Sequence, residues 1–355
     1  MDTSEKKYTI DSMSKIIWSC VFVLIFNFLF SDHLFAQERD TDFEASGKPI
    51  IQVFGNIDMN LGKDAEKRYG LWIGRAHFGY GYRFSKTFSG KIVLDVGRPT
   101  TLSQFSEMGG YKEGSYYTVT LKFASLEWTP NEHVCIQAGS VLQNHYITQE
   151  KFWGYRYLAP TFQDKYFGTP SGDLGIIGYY KLNKKFGFDI ALTNGEGFRF
   201  DQDLFGDVKI AAGVDYNPID GLQSRIFYDY TKSKNPLKPA EQQLFSAFIG
   251  YRHKNLFRVG GEYNYHKNHL NQSGRDIYGF SFYGSYAILR KVEFFARFDK
   301  VFAKNIENKG NAYITGLHYC PVSGINISLN YQGWAPDNFE LKYQHHILLS
   351  FEYKI

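Results

Sequence analysis

Short segments in which polar and apolar residues alternate follow one another from about residue 49 to the C-terminus. Successive side chains of a β-strand point to opposite faces, so each segment predicts a strand with one apolar face. No apolar run beyond residue 48 reaches the roughly eighteen residues of a membrane-spanning helix, which excludes a helical membrane bundle. Sixteen segments are predicted to be strands: 49–61, 70–84, 88–98, 115–128, 133–143, 173–182, 186–194, 207–217, 221–231, 241–253, 256–266, 276–289, 291–302, 311–320, 324–334 and 341–355.

The stretch GLWIGRAHFGYGYRF, residues 70–84, shows the pattern in its longest form. Strict alternation predicts that its apolar face consists of Trp72, Gly74, Ala76, Phe78, Tyr80, Tyr82 and Phe84. The other face then carries Arg75, His77 and Arg83. Aromatic rings gathered at strand ends are typical of strands that meet the two interfaces of a bilayer. Two further segments, 241–253 and 311–320, are apolar on both faces, and the sequence does not decide which side of them faces inward.

The connections between the predicted strands alternate in length along the chain. Seven tight links, such as TPNE and PIDG, interleave with eight longer ones. All tight turns then lie at one end of an antiparallel barrel, as in outer-membrane barrels with short periplasmic turns and long outer loops. A barrel must also close in a bilayer, because open strand edges find no hydrogen-bond partners in hydrocarbon. The sequence therefore predicts an all-β, up-and-down transmembrane β-barrel of about sixteen strands.

The N-terminus predicts export. Residues 1–36 comprise an N-terminal extension and a secretory signal peptide, with a basic Lys15, an apolar core at 16–30 and a small residue, Ala36, before the predicted cleavage. An N-terminal membrane anchor is the alternative, although the apolar core is short for a span. Residues 37–48 are predicted to be a short periplasmic segment, and 49–355 the barrel, which places the protein in a bacterial outer membrane.

Charge and motifs exclude several classes of function. The formal net charge of +4 is too small to argue for nucleic-acid binding. The sequence contains no nucleophile elbow, zinc-type His/Glu motif, phosphate loop or dinucleotide fingerprint, so an enzyme is not predicted. No cofactor and no metal site is predicted either. Two rival functions stay open, namely an outer-membrane barrel hydrolase and a loop-presenting adhesin or binding protein.

Four segments resemble the phosphate-selective porin O and P family in its Bacteroidetes form. They are CIQAGSVLQNHY (135–146), SGDLGIIGYYKL (171–182), IALTNGEGF (190–198) and DVKIAAGVDYNP (207–218). The resemblance implies a sixteen-stranded porin that is trimeric and passes small anions such as phosphate. Two features depart from the family pattern: the chain lacks a dense ladder of Arg and Lys, and it ends on Ile355 rather than on an aromatic residue.

Alternation also predicts which charged side chains face the lumen, where charge sets ion preference. The predicted pore-lining and selectivity residues are Arg75, His77, Lys91, Lys122, Arg225, Arg258 and Arg297. The alternative is that these charges pair across neighbouring strands and only hydrate the lumen.

The connection at 144–172 is longer than a passive link needs, and it carries seven aromatic residues that would be unfavourable in water. We expect it to fold inward and form the constriction, bringing its charged residues Glu150, Lys151, Arg156, Asp164 and Lys165 opposite Arg75 and Lys122. A position on the outer rim or over a trimer centre is the alternative. The sequence as a whole predicts a porin for passive diffusion of small hydrophilic solutes, with outer-membrane lipid, such solutes or anions and two further copies of the chain as its partners.

Overall fold

The computed structural model describes residues 43–63, 65, 68–97, 117–143, 147–169, 171–198, 202, 204–304, 309–338 and 341–355. Ala45–Ile355 form one compact unit. The predicted signal peptide lies outside the described residues.

Sixteen antiparallel strands form a closed barrel in which each strand pairs with its neighbours in the chain and β1 pairs with β16. This confirms the predicted fold class. The strands are β1 Ser46–Asn60, β2 Tyr69–Arg83, β3 Phe88–Gly97, β4 Thr118–Trp128, β5 Val134–Leu142, β6 Gly172–Lys181, β7 Phe186–Thr193, β8 Lys209–Tyr216, β9 Leu222–Thr231, β10 Gln242–His253, β11 Phe257–Lys267, β12 Ile277–Leu289, β13 Val292–Ala303, β14 Gly310–Tyr319, β15 Ile325–Pro336 and β16 Gln344–Lys354.

Each strand has one apolar side, and the closed barrel brings these sides together on its outer surface. Large apolar residues at alternate positions remain exposed on the outside of the closed sheet, for example Ile190, Leu192, Ile226, Ile249 and Phe282. A soluble protein rarely leaves such a continuous apolar surface in water. The outer surface is therefore a lipid-facing band, and closure of the barrel satisfies the strand edges that lipid could not.

Two β-bulges break the strict alternation that the sequence suggested. The pairing of β1 with β2 shifts beside Gly74, so Leu71 and Ile73 are exposed and Trp72 is on the inner side. The pairing of β3 with β4 shifts at Lys122, and Phe123 is buried. Strict alternation predicted Trp72 on the lipid side, and in the segment 115–128 it places Phe123 on the same apolar face as Val119 and Leu121. Both placements are wrong because a bulge reverses the facing of every residue on one side of it.

The two segments whose facing the sequence left open have a clear facing in the barrel. In β10, Leu244 and Phe248 are buried while Phe245 and Ile249 are exposed. The inner sides of β10 and β14 are apolar because the β5–β6 loop, residues 147–169, packs against them. An apolar inner face thus marks the part of the wall that this loop covers.

Tight turns at one end are closed by side chains that cap backbone N–H groups. Asn131 accepts hydrogen bonds from the N–H groups of His133 and Val134, and Asn183 does the same for Lys185 and Phe186. Asx turns of this kind fix a short reversal without help from the barrel. The β5–β6 loop contains two short helices, α1 (Ile147–Trp153) and α2 (Phe162–Tyr166), and a 3-10 helix at His269–Asn271 follows β11. None of the helices in the described part of the chain is long and apolar enough to cross a membrane.

Candidate functional site

The first half of the β5–β6 loop inserts an aromatic ring into a hollow of the barrel wall. Gly250 and Gly260 are paired residues on β10 and β11, and the ring of Phe152 lies against both. Phe248 and Tyr283 border the hollow, with ring centroids 5.3 and 6.3 Å from that of Phe152. Two glycines opposite each other remove the side chains that would otherwise fill this place, so the loop is seated in the wall.

Hydrogen bonds attach the next residues of the loop to β13, β14 and β15 in turn. The Tyr155 hydroxyl donates to Glu293, the Tyr157 hydroxyl lies 2.8 Å from Nδ1 of His318, and Gln332 donates to the carbonyl of Leu158 at 3.2 Å. Burial raises the pKa of Tyr155 to about 12, so its hydroxyl stays protonated and can donate at neutral pH.

The loop divides its apolar side chains between two buried clusters. One cluster contains Phe152, Trp153, Tyr155, Tyr157, Leu158 and Ala159 of the loop together with Phe54, Phe248, Tyr283, Phe295 and Ile314 of the wall. The other contains Phe162, Tyr166 and Phe167 of the loop together with Val141, Ile177, Ala191, Ala211, Phe227, Leu244, Ile277, Val301 and Ala312. All seven aromatic rings of the loop are buried in these two clusters, so they are not exposed to water although the loop is long.

The two bulges bring a basic group together on the inner face of β2, β3 and β4. Nε of Arg75 forms an ion pair of 3.0 Å with Asp95, and Nε2 of His77 lies 3.5 Å from the same carboxylate oxygen. Lys122 donates from Nζ to Nε2 of His77 at 3.0 Å, and Nδ1 of His77 lies 3.3 Å from Oε1 of Gln52. We call Arg75, His77, Asp95 and Lys122 the β2–β4 cluster.

The polar side of the β5–β6 loop carries a second charged group. Arg156 lies 3.2 Å from Glu150 and 3.2 Å from Asp164. Arg156 and Glu150 interact electrostatically with Lys122 of the β2–β4 cluster, so the two groups are near each other. Burial raises the pKa of Glu150 above its usual value, while the charges of Arg156 and Lys122 act to lower it. Arg75 and Arg156 each keep 23% of their side chains exposed, so both remain accessible to a solute.

Other predicted site residues lie away from these two groups. Lys91 is half-buried with Nζ 5.0 Å from the ring centroid of Phe123, and it interacts electrostatically with Glu127. The guanidinium of Arg258 lies 4.4 Å above the Tyr155 ring and 3.7 Å from Glu293.

Among the predicted loop charges, Lys151 is exposed at the end of α1. Lys165 lies instead on the wall side of the loop, 5.0 Å from the Tyr166 ring centroid and close to Arg297 and Asp299. Burial lowers the pKa of Lys165 to about 8. Lys165 therefore does not lie opposite Arg75 and Lys122, where the sequence predicted it.

Arg225 and Arg297 were predicted to line the pore, but they are buried, with 1% and 3% of their surfaces exposed. Arg225 forms ion pairs of 2.6 Å with Asp189 and 2.7 Å with Asp215. Arg297 pairs with Asp299 at 2.7 Å. Alternation puts both side chains on the inner side, but it does not report that Arg225 is paired with carboxylates of β7 and β8, or that Arg297 is paired on its own strand and covered by the β5–β6 loop.

The Asp-Leu-Gly and Asn-Gly-Glu-Gly motifs belong to one structural unit centred on Asp173. Its carboxylate accepts hydrogen bonds from the N–H groups of Gly195 and Gly197 at 3.1 and 3.0 Å. Lys209 and Gln143 bind the same carboxylate at 2.9 and 3.1 Å. Gly195 and Gly197 both have positive φ, which glycine adopts without strain. The motif therefore fixes backbone geometry at the strand end.

Sequence reasoning missed the wall residues that hold the loop. His318 and Gln332 are polar residues on inner faces and contact Tyr157 and Leu158. The available signal was indirect, because glycines such as Gly250, Gly260 and Gly279 recur on the same wall. Inward glycines in strands indicate the close approach of another part of the chain.

No protein-family model matches the chain, and no curated protein matches it. Solved structures with a similar fold include the outer membrane channel DcaP of Acinetobacter baumannii, with 14% identity, 88% of this chain and 97% of that chain covered, and a TM-score of 0.58. An anion-selective porin from Comamonas acidovorans matches with 12% identity, 88% and 100% coverage and a TM-score of 0.63. OmpT of Vibrio cholerae, folded in vitro and described as a trimer form, matches with 11% identity, 88% and 100% coverage and a TM-score of 0.58.

These similarities concern the fold, and they agree with the chemistry of the outer surface. A closed sixteen-stranded barrel with a lipid-facing apolar band is a transmembrane protein of the outer-membrane type. The chain shares the fold of outer-membrane porins, and its place is the bacterial outer membrane.

Proposed function

We propose that the protein is a porin through which small hydrophilic solutes diffuse passively. The observation that carries the proposal is the β5–β6 loop, which covers the inner wall from β10 to β15 and turns Glu150 and Arg156 toward the β2–β4 cluster. The passage runs between this polar side of the loop and the β2–β4 cluster, which together form the neck. Transport needs no cofactor and no catalytic residue, because a solute only exchanges part of its hydration shell for polar groups at the neck.

At the neck we propose a weak preference for anions. Arg75, Lys122 and Arg156 supply three cations, and Asp95, Glu150 and Asp164 supply three carboxylates. Direct pairing of Arg75 and Arg156 with carboxylates reduces the field that a passing ion meets. The lean toward anions comes from the Arg75–Asp95 pair, in which the guanidinium keeps 23% of its side chain exposed and the carboxylate only 2%.

Three finer properties belong to the same proposal. Kinship with the phosphate-selective porin O and P family is supported by the four motifs named above, and phosphate is the anion that it suggests. A homotrimer is supported by the trimer form of the similar OmpT structure. Export by a signal peptide at 1–36 is supported by the sequence pattern alone.

We propose a channel rather than a hydrolase or an adhesin. The charged groups at the neck are held in ion pairs, Arg75 with Asp95 and Arg156 with Glu150 and Asp164. An adhesin would need no loop packed across its lumen. The β5–β6 loop is therefore better explained by a function that depends on the bore.

Reversal potential and conductance in a planar bilayer test the proposal. The refolded protein, measured under a KCl gradient and then with potassium phosphate, is expected to give stable ion conductance with a small reversal potential on the anion side. Arg75→Gln is expected to move the reversal potential toward cations. A folded barrel without conductance would overturn the porin proposal, and conductance with cation preference would overturn only the anion preference.

A further inference from the structure

Arg297 meets the β5–β6 loop at the point where the loop passes from one apolar cluster to the other. Its Nη1 donates to the carbonyl oxygen of Pro160 at 2.6 Å. Pro160 stands between Ala159, the last loop residue of the Phe152 cluster, and Phe162, the first loop residue of the other cluster. A single hydrogen bond to this carbonyl therefore fixes the crossing point of the loop.

The Arg297 guanidinium also contacts the barrel wall and a second residue of the loop. Nε donates to Asp299 at 2.7 Å, and the group lies 5.3 Å from the ring centroid of Trp153 in the loop. Asp299 also accepts a hydrogen bond of 2.6 Å from the hydroxyl of Ser281 on the neighbouring strand. Ser281 and Asp299 are thus the wall side of the arrangement, and Pro160 and Trp153 are the loop side.

Because these groups are buried, the loss of one of their contacts is strongly unfavourable. Arg297 is 3% exposed, and both Asp299 and Ser281 are inaccessible to solvent. A buried charge whose partner is removed is strongly unfavourable, whereas an exposed ion pair contributes little. A shift of the loop along the wall would take the Pro160 carbonyl away from Nη1 of this buried guanidinium, so the arrangement opposes such a shift.

We propose that Arg297 is a positioning residue that holds the β5–β6 loop in register with the barrel wall and thereby sets the bore and the charge arrangement of the neck. The proposal rests on the proposed porin function and deepens it, because it assigns the geometry of the neck to a residue that no solute reaches. The charges that depend on this register are Glu150, Arg156 and Asp164, which lie on either side of Pro160 in the loop.

Single-channel recording of the full-length refolded protein tests the proposal. Arg297→Gln removes the charge and the fork of donors, and it is expected to increase open-state current noise several-fold and to shift the reversal potential together with the conductance. Arg297→Lys retains one charged donor and is expected to restore part of the quiet open state. A role confined to barrel stability would lower the melting temperature in both variants without changing the open-state noise.

A matched control removes a buried charge elsewhere on the wall. Lys209 forms a buried ion pair of 2.9 Å with Asp173, a residue of β6 and not of the β5–β6 loop. Lys209→Gln is expected to reduce stability and leave the noise as in the wild type. Trypsin adds a second readout, because a released loop would expose the cleavage sites at Arg156 and Lys165, and faster cleavage is expected in Arg297→Gln and not in Lys209→Gln.

If Arg297→Gln fails to fold, Ser281→Ala provides the milder change, since it weakens the support of Asp299 and leaves every charge in place. It is expected to raise the noise above the wild-type level by less than Arg297→Gln would. Wild-type noise and wild-type trypsin resistance in a folded Arg297→Gln or Ser281→Ala barrel would overturn the proposal. Absence of conductance in the wild type would instead overturn the porin function on which it rests.

Discussion

Gly250 lies directly opposite Gly260 on the neighbouring strand, and the ring of Phe152 fills the space above both residues. The glycine pair leaves a space in the wall, which we call the Phe152 seat. The ring in this seat fixes the position of a loop that lies in the lumen. A side chain at either position would occupy that seat. The seat is the reason why two strand glycines, which weaken a strand on their own account, occur together here.

Substitution of Gly250 by Ala is expected to displace Phe152. A Cβ at this position would lie 2.6 Å from the Phe152 ring, and the ring is buried, with 1% of its surface exposed. Overpacking of this kind costs about 1–3 kcal/mol. The expected result is a lower melting temperature with noisier open-channel current. Gly187→Ala is the control, because its nearest contact would be an ordinary 3.9 Å, and equal effects of both substitutions would contradict the seat.

Substitution of Arg225 by Gln is expected to damage the fold and not the selectivity. The guanidinium is paired with Asp189 and Asp215 and is almost fully buried. Leaving the buried carboxylate of Asp189 and the half-buried one of Asp215 without their cation costs about 3–5 kcal/mol. Thermal unfolding in detergent measures the loss. The reversal potential of the barrels that still fold is expected to equal that of the wild type, and a large shift toward cations would show that Arg225 acts on passing ions.

Substitution of Asp173 by Asn is expected to loosen the turn that begins at Asn194. The carboxylate binds two backbone N–H groups and the ammonium of Lys209. The loss of charge weakens all three contacts and costs about 1–3 kcal/mol. The expected outcome is a lower melting temperature and faster proteolysis after residue 194. Asp220→Asn changes an exposed turn carboxylate and is expected to have no effect, so similar losses in both variants would refute a special role for Asp173.

Stability is expected to rise between pH 8 and pH 10 because of Lys165. Burial lowers its pKa to about 8 in the folded protein, against 10.5 in the unfolded chain. Within this window the unfolded chain still binds the proton that the folded protein has released, so the free energy of unfolding increases with pH. The check is the melting temperature at pH 8 and pH 10 in the wild type and in Lys165→Met. A pH response that is equal in the two proteins would rule out this assignment.

Alternation predicted the barrel because it depends only on which side of each strand meets lipid. Loop lengths predicted the end at which the tight turns lie, since a barrel separates its two ends. The same rule misplaced Trp72 and Phe123, because a bulge is a local change of pairing that leaves no period in the sequence. The sequence also separates residues that the barrel joins, and the pairing of Arg225 with Asp189 and of Arg297 with the loop depends on such long-range contacts.

Single-channel conductance of the wild type and of a variant lacking residues 150–166 tests the central claim most directly, namely that the β5–β6 loop narrows a pore. The deletion removes α1 from Glu150 onward, the Phe152 ring and all contacts of Arg156. The account predicts a barrel that still folds, conducts several times more current and loses much of its ion preference. Unchanged conductance in the folded deletion variant would contradict the claim that the loop forms the neck.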